Sequence, residues 1–201
     1  MVDMEKPWRG EQRRTRSWFK GTAADEAVKA LWRAAEESGG NEERYLKMLL
    51  LTGKRKSALG SMKWEEIDAY WFWHAPPSKS KNKRLHPIPL PKLAERVLRP
   101  RGHKGLVFGA IEYDRLQYQI RKVSGIDDFF FHGTRHLIES KLAELKITPH
   151  IRDLLFDHAP KRGSGAAYDH HQYRQEMLDA LEQWAGHIEG LVTPQGVALL
   201  R

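Results

Sequence analysis

Apolar side chains recur at helical spacing along most of the chain. In the first such segment Val28, Leu31 and Trp32 fall on one face of a helix that ends at the glycine pair 39–40. The same spacing, with glycine and proline as stop signals, predicts further helices. The predicted helices are at about 22–38, 41–51, from 56, 91–98, 113–124, 132–145, 149–157 and 166–190.

Two segments have the alternation and residue types of β-strands instead. WEEIDAYWFWH (64–74) is aromatic, and LHPIPL (85–90) contains prolines that are typical of an edge strand. The basic turn 79–84 lies between them and predicts a hairpin tip. The fold class is therefore mainly α with a small antiparallel β-sheet (α+β), without the strand–helix alternation or phosphate-binding loop of a nucleotide-driven motor.

Composition is that of one soluble domain. The chain has 201 residues, of which 40% are hydrophobic and 30% charged, so a sizeable core is expected. The longest apolar run, 69–73, is too short to cross a bilayer, which predicts that the protein has no membrane partner. There is no cysteine, which excludes disulfides, thiolate nucleophiles and sulfur-bound zinc.

Charge narrows the range of partners. The net charge is +8, and the excess is clustered at 9–16 (RGEQRRTR), 79–84 (KSKNKR) and 99–104 (RPRGHK). Clusters of this kind favour polyanions, because basic side chains neutralise phosphates and release counterions. Solvated loops have the same composition, so the charge alone does not establish nucleic-acid binding.

Two motifs place basic side chains where a helix begins. In TGKRKSAL (52–59), Gly53 ends one helix and Arg55 starts the next, where backbone N–H groups and a guanidinium can seat a phosphate. In HGTR (132–135), His132 and Arg135 are three residues apart and share a helix face. Taken singly, each motif also fits ordinary surface structure.

A third segment contains the candidate nucleophile. In LLFDHAPKRGSGAAYDHHQY (154–173), His158 ends a helix and Tyr168 opens the last one, after a basic loop. A tyrosine hydroxyl attacks only when cations favour its phenolate and a neighbour accepts its proton. Tyr173 is the competing tyrosine, and either could be a packing residue.

Together these motifs, in this order, resemble the catalytic domain of the tyrosine recombinase (phage integrase) family. The resemblance covers about residues 22–190. TGKRKSALGSMKWEEID is similar to the first box, SKNKRLHPIPL to the β-hairpin segment, LLFDHAP to the box ending in Gly-His, and GAAYDHH to the nucleophile segment. By this resemblance the catalytic residues are Arg55, Lys81 (rather than Lys79 or Lys83), His132, Arg135, His158 and Tyr168 (rather than Tyr173).

The chain departs from the family pattern at three places. Ala58 stands where the first box usually has glutamate, Gly133-Thr134 fill the middle of the His-x-x-Arg box, and Asp157 replaces the glycine before the last histidine. None of these positions is expected to touch the phosphate, although they can alter the support of groups that do.

The resemblance implies cutting and rejoining of double-stranded DNA through a 3′-phosphotyrosine, without a cofactor or a metal. A metal site at His132, His136 and the pair 170–171 is disfavoured, because no carboxylate or thiolate pattern completes it. The alternatives are a type IB topoisomerase and a DNA-binding regulator of excision with reduced activity. An RNA-binding protein is disfavoured because no RNA-binding signature is found.

The resemblance also predicts domain organisation and partners. Residues 1–21 are expected to be a basic arm or linker remnant, 22–190 the catalytic domain, and 191–201 a tail that docks on a neighbouring protomer. An N-terminal DNA-clamping domain is expected in the full-length protein, which would act as a homotetramer on DNA, whereas this chain alone would be a monomer or weak dimer. The expected location is the bacterial cytoplasm, at the nucleoid.

Overall fold

The computed structural model describes residues 18, 21–79, 86–158 and 173–193. Within these ranges the fold is mainly helical with one small antiparallel sheet, which confirms the predicted fold class. In the part of the chain described, no helix combines the length and the apolar character needed to cross a membrane. The helices are α1 (Gly21–Ser38), α2 (Gly40–Thr52), α3 (Lys56–Gly60), α4 (Lys92–Leu98), α5 (Tyr113–Ser124), α6 (Phe131–Glu144), α7 (Pro149–Phe156) and α8 (Arg174–Val192).

Helix α2 forms the centre of the core. It packs against α1, α3, α4, α6 and α8, and its last four residues, 49–52, are all buried. Trp184 of α8 is buried beside it and donates its indole N–H to the carbonyl of Leu50 at 2.8 Å. Burial of large side chains supplies most of the stabilisation of such a core.

The sheet consists of β1 (Phe72–Ala75) and β2 (His86–Pro89), which pair antiparallel with Trp73 opposite Ile88. Both of these side chains are buried. The predicted strand 64–74 is wrong over its first part, where Trp64–Glu66 is a short 3-10 helix and only one bridge, from Ile67 to Trp73, precedes β1. Tertiary contacts outweigh strand propensity here, because Glu66 accepts hydrogen bonds from the Trp73 indole and from Lys79.

The last helix also differs from its prediction. It begins at Arg174, and Tyr173 precedes it as a non-helical residue, so a continuous helix over 166–190 is wrong. Residues 166–172, with Tyr168, lie outside the described residues, as do Lys81 in the basic turn and most of the predicted arm and tail.

Candidate active site

A concave pocket lies where the start of α3, the end of α7, helix α6 and the sheet meet. It brings together two of the predicted catalytic residues, Arg55 and Arg135, which are distant in sequence. The described residues that line it are Lys54, Arg55, Ala58, Trp73, Ala75, Lys79, Ile88, Arg135, Phe156 and Asp157.

Arg135 is the buried member of this arginine pair, with 4% of the residue exposed. Its guanidinium donates to the carbonyl of Gly53 at 3.3 Å and to that of Phe156, and it lies over the Phe156 ring at 4.6 Å. Burial, followed by the positive charge of Arg55, lowers the pKa of Arg135 to about 10. Arg135 is therefore protonated at neutral pH and joins the end of α2 to the end of α7.

Gly53 makes this junction possible. It ends α2 in the left-handed region, at φ 59°, and a Cβ on it would lie 2.7 Å from Cε1 of Phe156. Only glycine fits both the backbone angle and the space. The glycine of the TGKR motif thus serves packing, and it sets the chain direction into Arg55.

Arg55 stands at the N-terminal end of α3 with an extended backbone and a partly exposed side chain. Its Nη1 lies 4.0 Å from Oδ2 of Asp157. This distance is that of an ion pair without a direct hydrogen bond, so the geometry leaves guanidinium donors directed at the pocket.

Lys54 is a pocket residue that the sequence analysis missed. Its side chain is buried and donates to the carbonyl of Leu155, near the end of α7. Burial first, and then the charge of Arg135, lowers the pKa of Lys54 well below its usual value. Its position next to Arg55 was the available signal, but a lysine in sequence is most often exposed.

His132 lies in the first turn of α6, with its residue exposed and its ring edge-on to that of His136 at 4.8 Å. Partial loss of hydration, with the positive charges of His136, Arg135 and Arg55, lowers the pKa of His132. A neutral imidazole at neutral pH can accept a proton.

Gly133, one of the departures from the family pattern, is explained by packing. A Cβ there would lie 2.5 Å from Cζ2 of Trp18 and 2.8 Å from Cε1 of Phe130. A larger residue would displace Trp18, so glycine is required at this point of α6.

His158 follows α7 and is half-buried. Its Nδ1 lies 3.1 Å from Oδ1 of Asp153 and 3.9 Å from Oε1 of Glu139, and its ring stacks on Phe156 at 5.9 Å. With Nδ1 oriented by a carboxylate, Nε2 is the ring nitrogen left to meet a ligand.

Lys79 and Tyr173 are the described alternatives to the predicted catalytic residues Lys81 and Tyr168. Lys79 lines the pocket, but its ammonium donates to Glu66 at 2.6 and 2.8 Å and to the carbonyl of Ser61 at 2.5 Å. Tyr173 is half-buried, with its ring 4.6 Å from that of His150. Both side chains therefore have described partners, whereas the predicted Lys81 and Tyr168 lie outside the described residues.

The alternative metal site is described only in part, because residues 170–171 lie outside the described residues. Among the residues described, no group of three or more His, Cys, Asp or Glu side chains is arranged to hold a metal ion. The pocket instead presents cationic side chains, Lys54, Arg55 and Arg135, that suit an anion.

Comparison with known proteins gives a distant similarity. The chain is similar to prophage integrase IntF of Escherichia coli (strain K12), with 25% identity over 173 residues. The similarity covers 79% of this chain and 36% of that protein, so the chain spans about a third of the relative's length. No family model matches the chain. No solved structure matches it significantly. The similarity supports a relationship to integrases at a coarse level.

Proposed function

We propose that this chain is the catalytic domain of a tyrosine-type site-specific DNA recombinase that integrates or excises a prophage or another mobile element. The observation that carries the proposal is the convergence of Arg55 and Arg135, from distant parts of the sequence, in one pocket. The distant similarity to a prophage integrase supports the same conclusion.

The pocket suits a phosphodiester in its transition state. Attack on phosphorus increases the negative charge on the non-bridging oxygens, and preorganised donors in a site of low dielectric stabilise that charge. Arg55 offers the accessible guanidinium and Arg135 adds a fixed positive charge. We propose that His158, which follows the lining residue Asp157 but does not itself line the pocket, donates a further hydrogen bond.

The covalent step is an exchange of one phosphoester for another. The Tyr168 oxygen attacks phosphorus, the bond from phosphorus to the 5′-oxygen breaks, and a 3′-phosphotyrosine and a free 5′-hydroxyl result. His132 accepts the tyrosine proton or contacts the developing oxyanion, and Lys81 protonates the departing oxygen. Because the phosphoester is retained, rejoining is the reverse reaction and needs no cofactor.

The experiment is trapping of the covalent intermediate on a suicide DNA duplex nicked next to the cleavage site. Tyr168→Phe should abolish the protein–DNA adduct on a denaturing gel, because the attacking oxygen is lost. Its DNA affinity in a mobility-shift assay should be unchanged. Tyr173→Phe is the matched control, and it should still form the adduct, because Tyr173 packs against His150.

An adduct that persists in Tyr168→Phe and disappears in Tyr173→Phe would show that the nucleophile is misassigned. DNA binding by the wild-type chain with no adduct on any suicide substrate would favour the regulator of excision. We propose that the partner is double-stranded DNA and that recombination is carried out by a homotetramer bound to it.

A further inference from the structure

Asp157 adopts a left-handed backbone conformation that is rare for residues other than glycine. It caps the C-terminus of α7 at φ 50° and ψ 46°, and its N–H donates to the carbonyls of Asp153 and Leu154. Aspartate tolerates this left-handed region better than most residues, but glycine adopts it with no steric cost. The backbone alone therefore does not require a carboxylate at this position.

The carboxylate of Asp157 is directed into the cationic pocket. Its side chain is 10% exposed, and Oδ2 lies 4.0 Å from Nη1 of Arg55. Its charge also interacts with those of Lys54 and Arg135. Among the described residues that line the pocket, Asp157 is the single acidic side chain, and Ala58 on the facing wall adds no polar group.

Four basic side chains among the described residues line the pocket, and they differ in their partners; the ammonium of Lys79 is bound by Glu66. Lys54 and Arg135 donate to backbone carbonyls at the end of α7. Arg55 instead faces Asp157 at ion-pair distance. A weakly held guanidinium can exchange a carboxylate for a phosphate, because both anions suit its planar donors.

We propose that Asp157 is a resident counter-ion of this pocket. It neutralises part of the cationic cluster while the pocket is empty, and it opposes docking of a DNA phosphate against Arg55. Arg55 then exchanges one anion for the other when the backbone binds. This inference rests on the proposed function, since the competing anion is a DNA phosphate.

The test compares DNA affinity in variants that lack the carboxylate. Asp157→Asn removes the charge and keeps the shape, and Asp157→Gly removes the charge and fits the left-handed backbone. In a Tyr168→Phe background, which prevents covalent capture, both should bind a short DNA duplex about tenfold more tightly than the parent, equivalent to about 1.4 kcal/mol. Asp127→Asn is the control, because it removes the same charge from an exposed residue that does not line the pocket.

Thermal unfolding shows whether Asp157 acts as a counter-ion or only shapes the loop after α7. Without phosphate, Asp157→Asn should melt at a lower temperature than wild type, because the cations have lost their partner. Added inorganic phosphate should raise its midpoint more than that of wild type. If Asp157→Asn does not fold, Asp157→Gly keeps the affinity comparison available.

Equal or weaker DNA binding by both variants, or an equal gain in Asp127→Asn, would overturn the counter-ion role. Failure of the proposed function would give a different result from failure of the counter-ion role. In that case no protein with an intact Tyr168 would form an adduct, whatever residue stands at 157.

Discussion

At the scale of single residues, Lys79, at the start of the basic turn, is held by partners on two other segments. The side chain of Lys79 is 13% exposed, and its ammonium donates to Glu66 and to the carbonyl of Ser61. These contacts fix the position of the ammonium against Glu66 and Ser61. Lys81 lies outside the described residues, so its role as the general acid stays a prediction.

Substitution of Lys81 tests that role. Lys81→Ala should slow cleavage of an ordinary duplex by about 10²–10⁴-fold, the usual contribution of a positioned general acid. A substrate with sulfur in place of the bridging 5′-oxygen should restore the rate, because a thiolate leaves without protonation. The measurement is the single-turnover rate of adduct formation on both substrates.

Lys79→Ala is the matched control for this experiment. It should lower stability through loss of the contact with Glu66, and any loss of rate should persist on the sulfur-containing substrate. Rescue of Lys79→Ala with no rescue of Lys81→Ala would reverse the assignment.

At the scale of elements, local signals predicted the helices well and the contacts between them poorly. Gly53 ends α2 and Thr148 caps α7 as short-range rules require, which is why those boundaries were predictable. The buried state of Lys54 depends on the carbonyl of Leu155, which is 101 residues away in sequence. A contact between residues so far apart in sequence produces no periodic pattern of apolar positions. The convergence of Arg55 and Arg135 could be predicted only from the family resemblance.

Helix α6, which carries His132 and Arg135, is held by a polar cluster on its far side. Lys141 of α6 donates to Asp25 of α1 at 2.8 Å, and Asp25 also pairs with His187 of α8 at 2.8 Å. Partial burial raises the pKa of Asp25, but the hydrogen bonds from Lys141 and His187 outweigh it, and the pKa lies below the ordinary 3.8. The ionised carboxylate thus links three helices.

Asp25→Asn should lower the free energy of unfolding by about 2 kcal/mol at neutral pH, the usual cost of breaking a charged hydrogen bond. Since the pKa of Asp25 is lower in the folded protein, its stabilisation is fully present above the unfolded value near 3.8 and is lost as the pH falls through the folded value. Urea unfolding of both proteins from neutral pH to about pH 2 measures this difference.

The control for this prediction is Asp179→Asn, on the exposed face of α8, where the carboxylate contacts only Gln175 among the described residues. That variant should change stability by about 0.5 kcal/mol or less. A difference between wild type and Asp25→Asn that stays constant below about pH 3 would contradict the ionised link.

At the scale of the whole molecule, the net charge of +8 and the cationic pocket predict different kinds of DNA contact. Scattered surface cations attract any duplex, and their effect is screened by salt. A guanidinium in a pocket instead contacts one defined phosphate.

The salt dependence of DNA binding distinguishes these two contributions. Each phosphate neutralised contributes about −0.9 to the slope of log K against log salt concentration. Arg55→Gln should therefore make the slope shallower by about 0.9, because its guanidinium is the accessible cation of the pocket. Arg33→Gln removes an exposed cation of α1 that bonds the carbonyl of Val123, and should leave the slope nearly unchanged. Equal slopes for Arg55→Gln and wild type would mean that the pocket does not hold a DNA phosphate, since a lost phosphate contact must release fewer counterions.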